Sequence, residues 1–305
     1  MEQQRIALNR DTLEESAAGV DPAFPYRAGL CRLHDFPGST FPWHWHNEVE
    51  FFYLREGALE YHLPGGVTRF EAGDAGFLNA GVLHMTRALP GVPCVQEEHI
   101  FLPAFLGGGH GCAIETRYIR PLVQNREVDL LVFRAGTAAA ASMAGRMRRA
   151  LACYEAGGFG HEAEIRAEMT ALWLDVLRAA EPVLAPAGPR ADGHPLDDGR
   201  IKAMMGYIAA HYGERLGLSD IAAAALIGER ECCRCFQRQL GLSPVEYLLD
   251  YRVSRACELL QTTGESVTAI GARCGFSSSS YFGKIFRRKT GCSPREYRVG
   301  AHKTG

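Results

Sequence analysis

The spacing of apolar and polar residues changes character three times along the chain. From about Tyr26 to Glu98, short apolar stretches are cut by turn residues at Gly38, Glu56-Gly57, Pro64-Gly65-Gly66, Gly73-Asp74 and Ala80-Gly81. That rhythm predicts a small β-sandwich or barrel. Residues 136–180 shift to helical spacing. Met143, Met147, Leu151 and Tyr154 make one stripe and Ile165, Met169, Leu172 and Val176 another, interrupted by Gly157-Gly158-Phe159-Gly160. Two amphipathic helices packed on the barrel are predicted. Glu181 to Gly199 has four Pro, three Gly and no periodicity, and reads as a linker.

Beyond residue 200 one pattern is written twice. Phe236, Gly241, Ser243, Pro244, Glu246 and Tyr247 recur 50 residues later as Phe286, Gly291, Ser293, Pro294, Glu296 and Tyr297. Leu218-x-x-Ile221 recurs as Val267-x-x-Ile270 at an offset of 49, so the second copy has one extra residue in its turn. Each copy predicts helix, tight turn, helix. In the first, Ile221 and Leu226 belong to the leading helix, and Cys232, Cys235 and Phe236 to the inner face of the next. In the second, Ser266 caps a helix with Val267, Ile270 and Cys274 inside, Gly275 ends it, and Phe282, Ile285 and Phe286 line its successor. Ser243-Pro244-x-Glu246 and Ser293-Pro294-x-Glu296 read as capping boxes with Pro at the first helical position.

The outer faces that remain are Glu229, Arg230, Cys233, Arg234, Gln237 and Arg238 in one copy, and Ser279, Ser280, Tyr281, Lys284, Arg287 and Arg288 in the other. These types hold phosphates and read base edges. A solvated cationic face is the plainer alternative, and charge distribution weighs against it. The net charge of −2 divides into 16 basic against 9 acidic residues over 200–305 and 17 against 26 elsewhere. Between the copies, Pro244 to about Thr262 predicts one helix about 30 Å long. Successive major-groove faces of B-DNA are roughly 34 Å apart, so such a helix would set two recognition helices in adjacent grooves of double-stranded DNA.

Residues 200–300 resemble the DNA-binding domain of the AraC/XylS family of bacterial transcription regulators. The resemblance is carried by Leu218-x-x-Ile221, Arg234-x-Phe236, Gly241-x-Ser243-Pro244, Tyr247, Arg252, Ala256, Leu259-Leu260, Ile270, Gly275-Phe276, Tyr281-Phe282, Phe286, Gly291-x-Ser293-Pro294 and Tyr297-Arg298. It implies base-facing positions at Arg230, Cys233, Arg234, Ser280, Tyr281 and Lys284, and a homodimer made by one of the helices of 136–180. Gly228 stands where the family usually has a capping Ser. Cys232-Cys233-x-Cys235 is not a metal motif, because neighbours on one helix point apart; Cys232 and Cys235 read as small core residues.

The β region contains Gly38-x5-His44-Trp45-His46-x3-Glu50-x6-Gly57, then Gly73-x5-Asn79-x-Gly81-x2-His84. This resembles the two signature motifs of the cupin barrel. The first is complete; the second has Asn79 where Pro is usual and Ala88 where Asn is usual. Strand alternation puts His44, His46 and Glu50 on one face. With His84 they form a three-imidazole, one-carboxylate set suited to Zn, Fe, Mn or Ni. The other reading is that His44, His46, Glu50 and His84, with Trp43 and Tyr53, bind an organic effector such as a sugar or an aromatic compound. The family resemblance implies sensing of organic ligands without metal.

The expectation is a multi-domain α and β protein. A cupin-like effector-sensing β-barrel spans 1–125, a helical dimerisation segment 126–182, a linker 183–199 and an all-α double helix-turn-helix domain 200–305. A composition of 47% apolar and 22% charged residues is that of a soluble protein. No apolar run approaches a membrane span and no signal region opens the chain, so ten reduced cysteines in a cytoplasm are expected. The expected function is ligand-responsive transcriptional regulation without enzymatic activity. The rival is a metal-dependent cupin enzyme, a dioxygenase or isomerase, tethered to a DNA-binding module.

Overall fold

The computed structural model describes residues 7–8, 15–16, 21, 23–91, 93–107, 111–125, 127–184 and 195–301. They fall into two compact units, one holding Glu15–Asp192 and the other Gly193–Gly305.

The first unit is a two-sheet barrel with helices on one side. A short hairpin, β1 (Ala7–Leu8) and β2 (Glu15–Ser16), comes first. Then follow β3 (Tyr26–Arg32), β4 (Thr40–His44), β5 (Val49–Glu56), β6 (Ala58–Leu63), β7 (Gly66–Glu71), β8 (Ala75–Leu78), β9 (His84–Ala88), β10 (Val95–Phe101), α1 (Arg120–Val123), β11 (Leu130–Phe133), α2 (Ala138–Ala156) and α3 (His161–Leu184). One antiparallel sheet has the order β11-β8-β5-β10-β3 and the other β4-β9-β6-β7. Alternation along β5 sends Glu50, Phe52 and Leu54 toward the second sheet. Val49, Phe51 and Tyr53 go the other way, into a core shared with the helices. Met143, Met147 and Leu151 of α2, and Ile165, Met169, Leu172 and Val176 of α3, are all buried in that core. The predicted stripes are thus spent on the sheet. Thr137 caps α2 by accepting from the Ala140 N–H at 3.2 Å.

Two predicted boundaries are corrected. The barrel does not end at 125: β11 pairs with β8 through four residues, Leu130↔Leu78 to Phe133↔Ala75, so the segment expected to be helical begins with a strand. The 183–199 linker is invaded from both ends, since α3 continues through Pro182 to Leu184 and α4 (Pro195–His211) starts with a proline. A first-turn proline lacks only an N–H that the helix does not use. Residues 185–194 of that stretch lie outside the described residues.

The second unit is all helical: α4, α5 (Leu218–Ala224), α6 (Glu229–Leu240), α7 (Pro244–Thr262), α8 (Val267–Arg273), α9 (Ser279–Thr290) and α10 (Pro294–Ala301). The capping boxes form. The Ser243 hydroxyl accepts from the Glu246 N–H at 3.2 Å, while the Glu246 carboxylate accepts from the Ser243 N–H at 2.8 Å. Ser293 and Glu296 repeat this at 3.3 and 2.7 Å. Buried Arg252 of α7 donates to the carbonyls of Tyr212 and Glu214, tying the α4–α5 connection to α7. Leu226 is corrected. It lies beyond α5 with φ +55° and is 94% exposed, because the chain reverses there instead of continuing the helix.

Candidate sensor site and DNA-binding faces

The barrel motif assembles, though not along one strand. His44 ends β4 and His84 opens β9, both in the four-stranded sheet; Glu50 is on β5 in the other sheet, and His46 lies in the connection between them. All four are buried. Their convergence across two sheets replaces the single strand face expected from alternation. A register shift between Phe41 and His44 lets both side chains face the lumen.

Each imidazole is oriented by its backbone. The Nδ1 of His44 donates to the Pro42 carbonyl at 2.8 Å, that of His46 to Glu48 at 2.9 Å and that of His84 to Val82 at 3.0 Å. A carbonyl can only accept, so the proton is at Nδ1 in all three rings and Nε2 is directed inward. One ligating atom from each ring falls within 4.8 Å of the others. His46 Nε2 is buried with no hydrogen-bond partner. Glu50 is oriented too: Oε1 accepts from Tyr61 Oη at 2.8 Å and Gln96 Nε2 at 3.1 Å. That leaves Oε2 3.7 Å from His46 Nε2 and 3.9 Å from His84 Nε2. Three imidazoles in one tautomer, a tethered carboxylate and an orphaned buried nitrogen fit a divalent metal ion.

Glu15, Arg27, Cys31, Gln96 and Glu98 also line the cavity, none of them singled out by the motifs. Glu15 pairs with Arg27, and its Oε2 is 3.3 Å from His44 Nε2. Burial pushes the Glu15 carboxyl up, but the His44 hydrogen bond and the Arg27 charge outweigh it and hold it at about 2. Burial opposes charge on His46 as well, yet its contact with Glu50 and the Glu15 and Glu50 charges raise it above the usual histidine range. Burial and the Glu50 charge push Glu98 up to about 8. Glu15 and Glu50 thus favour positive charge on His46, and Glu50 opposes a second negative charge on Glu98.

Two predicted effector residues fall elsewhere. Tyr53 faces the helix-side core, on the opposite side of β5 from Glu50, as strand alternation requires. Trp43 is buried and, like His46, is not among the cavity-lining residues, though His46 keeps its place within 4.8 Å of His44 and His84. Asn79, the departure from the second motif, donates to the carbonyls of Leu122 and Val128 and so fastens the end of β8 to α1 and to the approach to β11.

The helical unit separates its faces as the periodicity predicts. Cys232, Cys235 and Phe236 of α6 and Phe282, Ile285 and Phe286 of α9 are buried. Arg230, Arg234, Gln237 and Arg238 are exposed and Cys233 is half-buried; Ser279, Ser280, Tyr281, Lys284, Arg287 and Arg288 are all exposed. Burial pushes the Cys232 thiol up to about 12, which leaves it an inert core residue. No disulfide joins any of the ten cysteines. No described helix is long and apolar enough to cross a membrane.

A paired helix-turn-helix unit and a small barrel with an inward polar site, joined in one chain, define a DNA-binding regulator with a sensor domain. Comparison with known proteins agrees. Residues 221–299 match a helix-turn-helix domain family and residues 33–95 a cupin domain family. The chain is 26% identical over 257 residues to YdeC of Bacillus subtilis (strain 168), an uncharacterised helix-turn-helix-type transcriptional regulator, covering 84% of this chain and 86% of that one. It is 35% identical over 118 residues to the transcriptional activator RhaS of Enterobacter sp. (strain 638), covering 39% of this chain and less than half, 42%, of RhaS. A solved AraC-type DNA-binding domain from Chromobacterium violaceum is 34% identical, with 35% of this chain and 96% of that chain covered and a TM-score of 0.34. Residues 221–299 are thus similar to helix-turn-helix domains and residues 33–95 to cupin domains, and the chain over most of its length is similar to a helix-turn-helix-type transcriptional regulator.

Proposed function

We propose that the barrel senses through a divalent metal ion held by His44, His46, His84 and Glu50, and that α6 and α9 read double-stranded DNA. The convergence of three inward Nε2 atoms carries the metal half of this reading. The cavity supports it: His44, Glu50 and His84 line it, and it has room for an ion or a water. The bound ion would supply a Lewis-acidic point with a coordination position for an effector's oxygen or nitrogen. Because the apolar stripes of α2 and α3 are used inside the unit, a homodimer in this reading forms through their outward faces, where Leu174 is exposed. The protein acts in the cytoplasm in this reading, beside the DNA it binds.

Elemental analysis of the full chain and of His84→Ala tests the metal. One equivalent in the wild type, lost in the variant, is expected; no metal in either sinks the reading, and turnover of small ligands by metal-loaded protein would favour the enzyme instead. For DNA, Arg234→Ala and Lys284→Ala are each expected to cost about 1–3 kcal/mol on a specific site and much less on random DNA. Equal losses on both would reduce them to phosphate contacts.

A further inference from the structure

Resting on the metal reading above, we infer that Glu15 is a further metal ligand, a carboxylate delivered to the barrel by the N-terminal hairpin. Its backbone N–H donates to the Trp45 carbonyl at 2.8 Å, which sets β2 beside the residue lying between two of the histidine ligands. The side chain is 5% exposed and its two oxygens have different surroundings. Oε1 is held by the Arg27 guanidinium, while Oε2 is 3.3 Å from His44 Nε2, the atom that His44 turns toward the ion. Two donors each about 2.1 Å from one ion lie roughly 3.0–3.4 Å apart at octahedral to tetrahedral angles. The Glu15–His44 separation is that of adjacent ligands on a shared metal; only His44, His46 and His84 already lie within 4.8 Å of one another, so Glu15 would draw closer to the other histidines on binding. Arg27 does for Glu15 what Tyr61 and Gln96 do for Glu50: it fixes one oxygen and leaves the other directed inward.

Glu15 turns a three-nitrogen, one-oxygen set into a three-nitrogen, two-oxygen set. Such a set raises the coordination number and moves preference toward Mn and Fe and away from four-coordinate Zn.

Co(II) titration of the full-length protein, followed by visible absorption, tests the inference. Wild type is expected to take up one equivalent with the weak bands of a five- or six-coordinate ion. Glu15→Gln is expected to bind at least about tenfold more weakly, with stronger bands as the coordination number falls. Glu15→Asp keeps the charge but shortens the reach. It is expected to lose affinity and change its bands in the same direction, and it decides the matter should Glu15→Gln fail to fold. Unchanged affinity and spectrum in both variants, with His84→Ala losing Co(II), would overturn the role of Glu15 and leave the metal reading standing. A weaker but spectrally unchanged Glu15→Gln, with Glu15→Asp like wild type, would reduce Glu15 to a neighbouring charge. No Co(II) uptake by wild type would overturn both.

Discussion

The two helix-turn-helix copies share a backbone and differ in what holds it. In the first turn the Leu226 N–H reaches the Ala223 carbonyl at 3.0 Å and the Ile227 N–H the Ala222 carbonyl at 3.2 Å; the second repeats this with Gly275 to Ala272 at 2.9 Å and Phe276 to Gly271 at 3.0 Å. The left-handed position is Gly275 in one copy, φ +78°, and Leu226 in the other, φ +55°. At Gly275 the choice is forced, since a Cβ would sit 2.4 Å from the Tyr212 carbonyl oxygen and 2.7 Å from Arg252 Nη2. At Leu226 the side chain extends into solvent and the backbone carries the strain. The caps differ as well. Ser278 accepts from the Tyr281 N–H at 3.2 Å, whereas Gly228 has no side chain to offer α6. Neighbours enforce the second turn; the first rests on its hydrogen bonds alone.

The outer faces differ in the same sense. On α6, Glu231 pairs with Arg238 at 2.8 Å and approaches Arg234 at 3.7 Å. The sequence of α9 contains no acidic residue, and among the described residues no carboxylate bridges Lys284, Arg287 or Arg288. The second helix presents Lys284, Arg287 and Arg288 without an ion pair and bridges only Lys289, to Asp250; the first must release its own cations before they reach a phosphate.

Five substitutions probe this contrast. Gly275→Ala is expected to cost about 3 kcal/mol or more in denaturant unfolding, because neither the Tyr212 backbone nor the stapled Arg252 can yield, while Leu226→Ala stays near neutral. A small loss at Gly275 would mean that both turns are equally permissive. Leu226→Gly is expected to stabilise by about 0.5–1 kcal/mol, with relief of left-handed strain partly offset by glycine's greater freedom when unfolded. Releasing the α6 cations by Glu231→Gln should tighten DNA binding by about 0.5–1 kcal/mol at low salt and less at high salt, read by fluorescence anisotropy. A loss of affinity instead would show that Glu231 positions Arg238 for contact. The smallest change is expected from Gly228→Ser, a few tenths of a kcal/mol in the midpoint of unfolding.

How far the sequence exposed all this depended on whether a residue's role was local. The helices of both copies were legible because caps, stops and inward residues repeat at fixed spacing, and Phe236 and Phe286 are buried where that spacing puts them. Leu226 was misread because leucine is a good helix former, and nothing local announces that the chain reverses there. In the barrel the histidines were legible as a motif, whereas Tyr53 was assigned to the lumen although its place on β5, three residues after Glu50, puts it on the other face. Glu15 was invisible because its strand is two residues long and its partners, Arg27 and His44, are joined only by the fold.

β11 has a consequence for what happens when the chain is cut. Ala75–Leu78 of β8 are all buried, flanked by β5 on one side and β11 on the other. The Asp74 carboxylate also accepts from the Arg134 guanidinium and from the Ala135 N–H, both at 2.8 Å. Proteolysis or truncation between Asn125 and Leu130 would strip that cover and leave four apolar residues as an open sheet edge, with backbone groups ready to pair with another molecule. A sensor piece released there would be an aggregation seed, so a well-behaved isolated sensor has to run through β11 and the helices that follow it.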